Sequence, residues 1–359
     1  MITIASDFGS PYPAAMKGVL CQRVGASAET GTGAGTGTGT ATGTDAETDT
    51  DTGTTPVTSS TSPTPSTTTS TTPNTDTTTR LVDIAHDFPR QDIRASAFWL
   101  REILPYYPPA VHLVVVDPGV GTDRDALVVR AGDHILVGPD NGVLLPVARR
   151  LAGVDEDASV SGTTVKGVLE YYVIDETELE PPAVAGQGGP QRSNDNTAGP
   201  ASNTFHGRDV FAPAAGDVHE FGLDRRDELL ELPFLERTDS VVDCTLPSAT
   251  VDDDRAEGEV LVVDDFGNAI TNVPGRFLTA GGRDHDNDND NGHDRNHVLA
   301  NGERVPAVDT FAAVPVGERL ATVGSHGYVE LDVNQGRGDE AFDLGVGNAV
   351  VLEFPAVDS

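Results

Sequence analysis

The strongest constraint in the sequence is the stretch Val111–Arg124, VHLVVVDPGVGTDR. A run rich in β-branched apolar residues passes without a break into Asp117, Pro118 and two glycines. Such a run suits a strand buried on both faces of a parallel sheet. The chain must then turn, and Gly119 and Gly121 permit positive φ or a close approach of backbone to a ligand. In open α/β sheets, ligands bind where strands of this kind end. Asp117 and Arg124 therefore place a carboxylate and a guanidinium on a loop where a ligand is expected. A turn carrying a solvated ion pair is the competing reading.

A chain of 359 residues has room for two domains and a sizeable core. No apolar run reaches the length of a membrane span. The opening MITIASDFG reads as a strand and not as a secretory signal. Cys21 and Cys244 are the only cysteines, which gives neither a metal cluster nor a disulfide framework and fits a reducing cytoplasm. Acidic residues outnumber basic ones 57 to 23, for a net charge of −34. Such a surface repels nucleic acid and anionic membrane, so neither is expected as a partner. It suits solubility at high salt, where screening shortens the reach of self-repulsion, and the expectation is a halophilic protein.

Along the chain, a first strand is expected over Ile2–Ser6, then Asp7-Phe8-Gly9 and a helix from about Pro13 with Met16, Val19 and Leu20 on one face. Asp7 reads either as a turn or cap carboxylate or as an acceptor for sugar hydroxyls. Residues 25–79 are Thr-, Gly-, Ser- and Pro-rich and are expected to be a disordered insertion. Leu81–Ala85 is a second strand. Asp92 is an N-cap ahead of a buried stripe of Ile93, Ala97, Leu100 and Leu104. Trp99 lies off that stripe and reads as packing surface in preference to a base-stacking ring. Ala126–Val129 and His134–Val137 can pair, the second ending in GPDNG. A helix over Val143–Arg150, a strand over Val168–Val173 and a polar insertion at 178–203 follow. His206, in TFHGRD, precedes a helix with Pro213 in its first turns. A lone His is more often structural; as a base it must be neutral and tuned by a neighbouring charge.

Strands alternating with helices predict a mainly parallel α/β sheet over residues 1–245. Beyond about Leu246, strand-like runs recur without helices at Glu259–Val263, Ala269–Val273, Arg319–Val323, Tyr328–Val333 and Ala349–Phe354. This predicts a smaller all-β domain over 246–359, a barrel or a sandwich, with an acidic insertion at 281–297. That insertion lacks the ligand order of a calcium loop and reads as a solvated linker.

Taken together, the motifs DPGVGT, GPDNG, TFHGRD and DxFGNxxTN, in that order, resemble the S-adenosylmethionine hydrolases, relatives of the fluorinases and chlorinases. The likeness runs through Ser6–Gly9, Met16–Val19, Leu81–Asp87, Val111–Arg124, Val137–Gly142, Thr204–Pro213, Val263–Asn272 and Gly324–Asn334. It implies attack of water or hydroxide on the ribose C5′ of S-adenosylmethionine, releasing adenosine and L-methionine. A sulfonium leaves without acid assistance, so the site needs only an aligned water and exclusion of bulk solvent. The family's water-holding Asp-Arg-His set falls on Asp117, Arg124 and His206, with His206 or Asp117 expected to take the proton. The likeness further assigns Asp7 to the ribose hydroxyls, Asp264 to the methionine ammonium, Asn268 and Phe311 to adenine, and Ser325 to the methionine end. Turn formation is the competing role for Asn268 and Ser325, and an ordinary surface acid for Asp264. No cofactor or metal is implied, since S-adenosylmethionine is the substrate. A homotrimer with sites between subunits is implied. The loop after Asp7-Phe8-Gly9 is shorter than the family's and lacks its acidic residue, which removes one methionine-side contact. A halide-using enzyme at the same carbon and a non-catalytic binding module are the rival functions.

Overall fold

The computed structural model describes residues 1–24, 79–154, 168–183, 204–279 and 295–355. The insertion expected at 25–79 lies outside these apart from Thr79, as do most of those at 178–203 and 281–297. The described ends of the latter two are structured: Leu179 is buried against the first core, and His297 opens a strand. Both insertions are therefore shorter than their composition suggested.

Two sheets organise the chain. The first has seven strands: β1 (Ile2–Ser6), β2 (Leu81–Ala85), β3 (Val111–Val115), β4 (Ala126–Ala131), β5 (His134–Pro139), β6 (Leu169–Ile174) and β7 (Leu235–Thr238), in the order β2-β1-β3-β5-β4-β6-β7. Only β2, β1, β3 and β5 run parallel; β4, β6 and β7 pair antiparallel. The sheet is thus mixed, not mainly parallel. The reason is local. Two residues, Gly132 and Asp133, join β4 to β5, and Gly132 takes φ +61°. A connection that short makes a hairpin, whereas a parallel crossover needs a dozen residues or more.

Helices α1 (Tyr12–Val24) and α4 (Ala212–Phe221) cover one face of this sheet; α2 (Ile93–Ile103) and α3 (Leu145–Ala152) cover the other. Asp92 caps α2 by accepting the Ala95 N–H at 2.9 Å. Ala97, Leu100 and Leu104 are fully buried, with Ile93 at the edge of the stripe. β1 leads through α1 to β2 on one side, and β2 leads through α2 to β3 on the other. The two connections leave in opposite directions across the sheet and their helices lie on opposite faces, the arrangement that opens a crevice between the ends of β1 and β3.

The second sheet is antiparallel: β8 (Thr250–Val251), β9 (Arg255–Val263), β10 (Ala269–Pro274), β11 (His297–Ala300), β12 (Glu303–Pro306), β13 (Arg319–Val323), β14 (Tyr328–Val333) and β15 (Ala349–Glu353). A bridge between Ala307 and Ala321 brings its two edges together, so it is barrel-like and nearly closed. Val260, Val298, Val329, Leu331, Val350 and Leu352 fill it. Two short helices, α5 (Arg276–Thr279) and α6 (Gly338–Phe342), interrupt a region read as free of them; four or five residues are too few to show helical periodicity.

The barrel meets the first sheet through α2. Ala95 and Phe98 are buried against Leu246, Leu261, Val262 and Ile270, and Arg94 pairs with Glu259. Trp99 packs edge-on against Phe98, centroids 5.1 Å apart, so it is a packing residue.

Candidate active site

Side chains from the ends of β1 and β3 converge on the turn that begins α4. Arg124 grips Asp117 with both arms of its guanidinium: Nε donates to Oδ1 at 2.7 Å and Nη2 to Oδ2. Two parallel charge-assisted bonds fix the plane of the pair. The same Nη2 lies 3.0 Å from Nδ1 of His206. These three side chains, 3–9% exposed, thus form one array with arginine at its centre. A guanidinium can only donate, so Nδ1 accepts, and a neutral His206 carries its proton on Nε2.

Local structure explains the convergence. Asn141 donates to the Val116 carbonyl at 2.9 Å, immediately before Asp117, and accepts the Val143 N–H. Asp140 accepts the Val242 N–H at 2.8 Å, and burial raises its pKa. GPDNG is therefore a brace for the Asp117 loop. His206 caps a π-helical turn, Gly207–Phe211, that runs into α4; such turns are frequent at functional sites. Gly207 lets this turn lie against β3, because a Cβ there would sit 2.9 Å from the Met16 sulfur and 3.2 Å from Val115. The buried Phe211 ring backs the array, with the Arg124 guanidinium 5.0 Å from its centroid.

A cavity of about 40 Å³ opens beside Asp117 and His206, walled by Phe8, Val115, Val120, Thr204, Phe205 and Gly207. It has room for water, each molecule needing about 10–15 Å³ of such space, and none for a nucleoside. Phe8, Tyr12 and Phe205 meet edge to face at its mouth. A larger cleft, about 550 Å³, lies on the second sheet among Arg304, Arg319, Arg337, Glu303, Glu318 and Glu340, away from this array.

The other sequence candidates fall into two groups. Asp7 stands at the end of β1 beside the crevice, buried, its Oδ2 accepting the Gln91 N–H at 2.7 Å. Asp264 and Asn268 share the β9–β10 turn: Asp264 accepts the N–H groups of Phe266 and Asn268 and the Asn268 side-chain amide at 2.9–3.0 Å. Ser325 and Phe311 are exposed. Among the described residues, none of these last four makes a hydrogen bond, ion pair or ring contact with Asp117, Arg124 or His206.

Sequence reasoning passed over Asn141, Phe211 and Glu176, whose carboxylate lies 4.0 Å from His206 Nδ1. GPDNG was visible as turn chemistry, but its role as a brace required the fold. Among the described residues, no three His, Cys, Asp or Glu side chains are grouped to hold a metal ion, and no helix is long and apolar enough to cross a membrane.

The chain is similar to known proteins along most of its length. Models of the SAM hydroxide adenosyltransferase N-terminal and C-terminal domains match residues 61–223 and 258–351. The first span holds Asp117, Arg124 and His206 and begins after Asp7; the second holds Asp264, Asn268, Phe311 and Ser325. A (R)-S-adenosyl-L-methionine hydrolase of Thermus thermophilus is 38% identical over 76% of this chain and 87% of its own length. One from Salinispora tropica is 35% identical over 72% and 81%. A crystal structure of a conserved hypothetical protein from Thermus thermophilus superimposes with TM-score 0.55 at 28% identity, covering 99% of both chains. An uncharacterized conserved protein from Thermotoga maritima gives 0.62 at 24% identity, covering 98% of this chain and 99% of that one, and so shares the fold. With matches to both family models and identity above one third along most of its length, this chain belongs to the SAM hydroxide adenosyltransferase family.

Proposed function

We infer that this protein hydrolyses S-adenosyl-L-methionine to adenosine and L-methionine, with water or hydroxide attacking the ribose C5′. The observation that carries the reading is the Asp117–Arg124–His206 array beside a water-sized cavity, in a chain whose relatives are named as hydrolases of this substrate. The leaving thioether needs no proton, so the residues act on the nucleophile alone. Arg124 holds Asp117 rigid and lends positive charge where hydroxide develops. His206, with Nδ1 turned to Arg124, presents Nε2–H and orients the water as a donor. Asp117 keeps a second lone pair on each oxygen beyond those bound by Arg124, and takes the proton. Those free lone pairs favour the carboxylate over His206 as the proton acceptor. The step calls on no cofactor or metal.

The remaining contacts belong to the same reading: Asp7 with the ribose hydroxyls, Asp264 with the methionine ammonium, Asn268 and Phe311 with adenine, Ser325 with the methionine end. Four of these five lie on the second sheet, and the cavity beside the triad is too small for a nucleoside. Phe266, 78% exposed, and Phe311, 38% exposed, leave ring surface open beside that sheet among the described residues. This supports completion of the site by a neighbouring copy in a homotrimer, each copy divided into an α/β unit over 1–245 and a β unit over 246–359. The acidic composition supports a halophilic protein, and the low cysteine content a cytoplasmic one.

The direct test is incubation with S-adenosylmethionine in molar potassium chloride, reading adenosine and methionine. Appearance of 5′-chloro-5′-deoxyadenosine, or tight binding without turnover, would overturn the hydrolase reading. For the shared site, mixing Arg124→Ala with Asp264→Ala protein restores activity, because mixed trimers contain one intact site; no recovery refutes it.

A further inference from the structure

The second sheet buries a pair of acids that the reaction described above does not use. Glu330 and Asp332 alternate along β14 with Val329 and Leu331, which point into the barrel core. The acids therefore face the other way. The register sets Glu330 opposite Ile270 on β10 and carries Asp332 opposite Asn268, whose amide donates to Asp264. Asp332 is fully buried, and neither carboxylate oxygen meets an N–H or O–H donor. Helix α6 closes over it: a Cβ on Gly338 would lie 2.8 Å from the Asp332 Cα.

The group within hydrogen-bond reach of Asp332 is the Glu330 carboxyl. Two carboxylates can bond only if one keeps its proton. His326 decides which. Its Nδ1 accepts the Tyr328 N–H at 3.4 Å, so the neutral ring carries hydrogen on Nε2 and donates to Glu330 at 2.8 Å. Glu330 is thus the anion, and Asp332 holds the proton. Burial, with Glu330 and Asp264 as negative neighbours, pushes the Asp332 carboxyl up to about 9. The charged groups around it are His326 and Glu330 on β14 and its turn, and Asp264 on the β9–β10 turn. Beside α6 stand Arg337, occupied by Asp339 and Glu340, and on α2 Arg101, paired with Glu102.

We propose that the Glu330–Asp332 pair is a proton-coupled support for the Asp264 subsite: when a primary ammonium settles on Asp264, Asp332 releases its proton to solvent. The proposal rests on Asp264 receiving the substrate's ammonium. Burial is the larger reason that Asp332 keeps its proton; the arriving positive charge offsets the share that Glu330 and Asp264 add to it, and the newly ionised carboxylate strengthens the hold on the amine. Only the Asp332 O–H bond breaks; the proton goes to buffer.

Calorimetric titration of His206→Ala protein with S-adenosylmethionine tests this at pH 7, below the α-amino pKa of about 7.7–8.0. Two buffers of different ionisation enthalpy count the protons. Release of about half a proton or more per site is expected, with log Ka rising between pH 6 and 7.5 by up to about one per unit. Adding Asp332→Asn, which keeps shape and neutrality, or Asp332→Ala, abolishes the release and flattens the pH dependence. Equal release with and without Asp332, or none in its presence, overturns the coupling alone. Failure of every variant to bind overturns the substrate reading and the coupling with it.

Discussion

Strand β3 carries a buried polar array at each end, and the two behave differently. At its start, His112 sits between Thr3 on β1 and His134 on β5: Nδ1 meets the Thr3 hydroxyl at 2.7 Å and Nε2 meets His134 Nδ1 at 2.8 Å. Among the described residues, no ion pair holds this chain of groups. Burial lowers the His112 pKa to about 3, with His134 adding to the effect, and the two rings lie nearly parallel with centroids 5.1 Å apart. Just past the other end, Asp117 meets a guanidinium that also reaches the His206 ring, beside a small cavity. Both arrays are satisfied and buried. Only the second combines a fixed charge with space for a reactant, and that separates a site from a polar clamp across the sheet.

Arg124→Ala should break the comparison most severely. It leaves Asp117 buried without its partner and removes the charge proposed to support hydroxide. Adenosine formation should fall by about 10³-fold, roughly 4 kcal/mol of transition-state stabilisation. Activity within ten-fold of the parent would make the array a clamp like the other. Phe98→Ala acts at a distance, where α2 meets the barrel. A cavity in that contact costs about 3 kcal/mol, read as a shift in denaturant midpoint. If the barrel alone unfolds earlier, its link to the first sheet runs through this ring.

The His112 array sharpens the contrast through pH. Its folded-state pKa lies below the ordinary His value, so the unfolded chain binds the proton first. Stability is therefore lost as pH falls from about 6.5 toward 3, by ~2 kcal/mol at pH 5. His112→Gln should remove that part of the slope and leave adenosine release at pH 7.5 within a few-fold. An unchanged slope would show that other groups carry it. The smallest effect concerns the surface: with a net charge of −34, the melting temperature should rise by a few degrees in molar potassium chloride. Highest stability without salt contradicts the halophilic reading.

Legibility tracked how local each signal was. β13 and β14 fall where alternation put them, at Arg319–Val323 and Tyr328–Val333. The Asp92 cap and the α2 stripe were likewise readable, because the bonds involved span three or four residues. Strands β11 and β12 were missed: four residues each, beside an acidic stretch, carry too little pattern. His112 was hidden in an apolar run, and nothing near it announces a partner on β5, 22 positions away.

The sequence by itself determined the loop chemistry after β3, the Asp92 cap of α2, the acidic surface and the set of motifs that marks the family. These depend on neighbours along the chain or on composition. Only the tertiary structure decided that the first sheet is mixed, that Asn141 braces Asp117, that Arg124 joins Asp117 to a histidine 82 residues on, and that Asp332 is sealed beside Glu330 and Asp264. Each depends on strand order and register, which bring distant residues within bonding range and remove the water that would otherwise satisfy them.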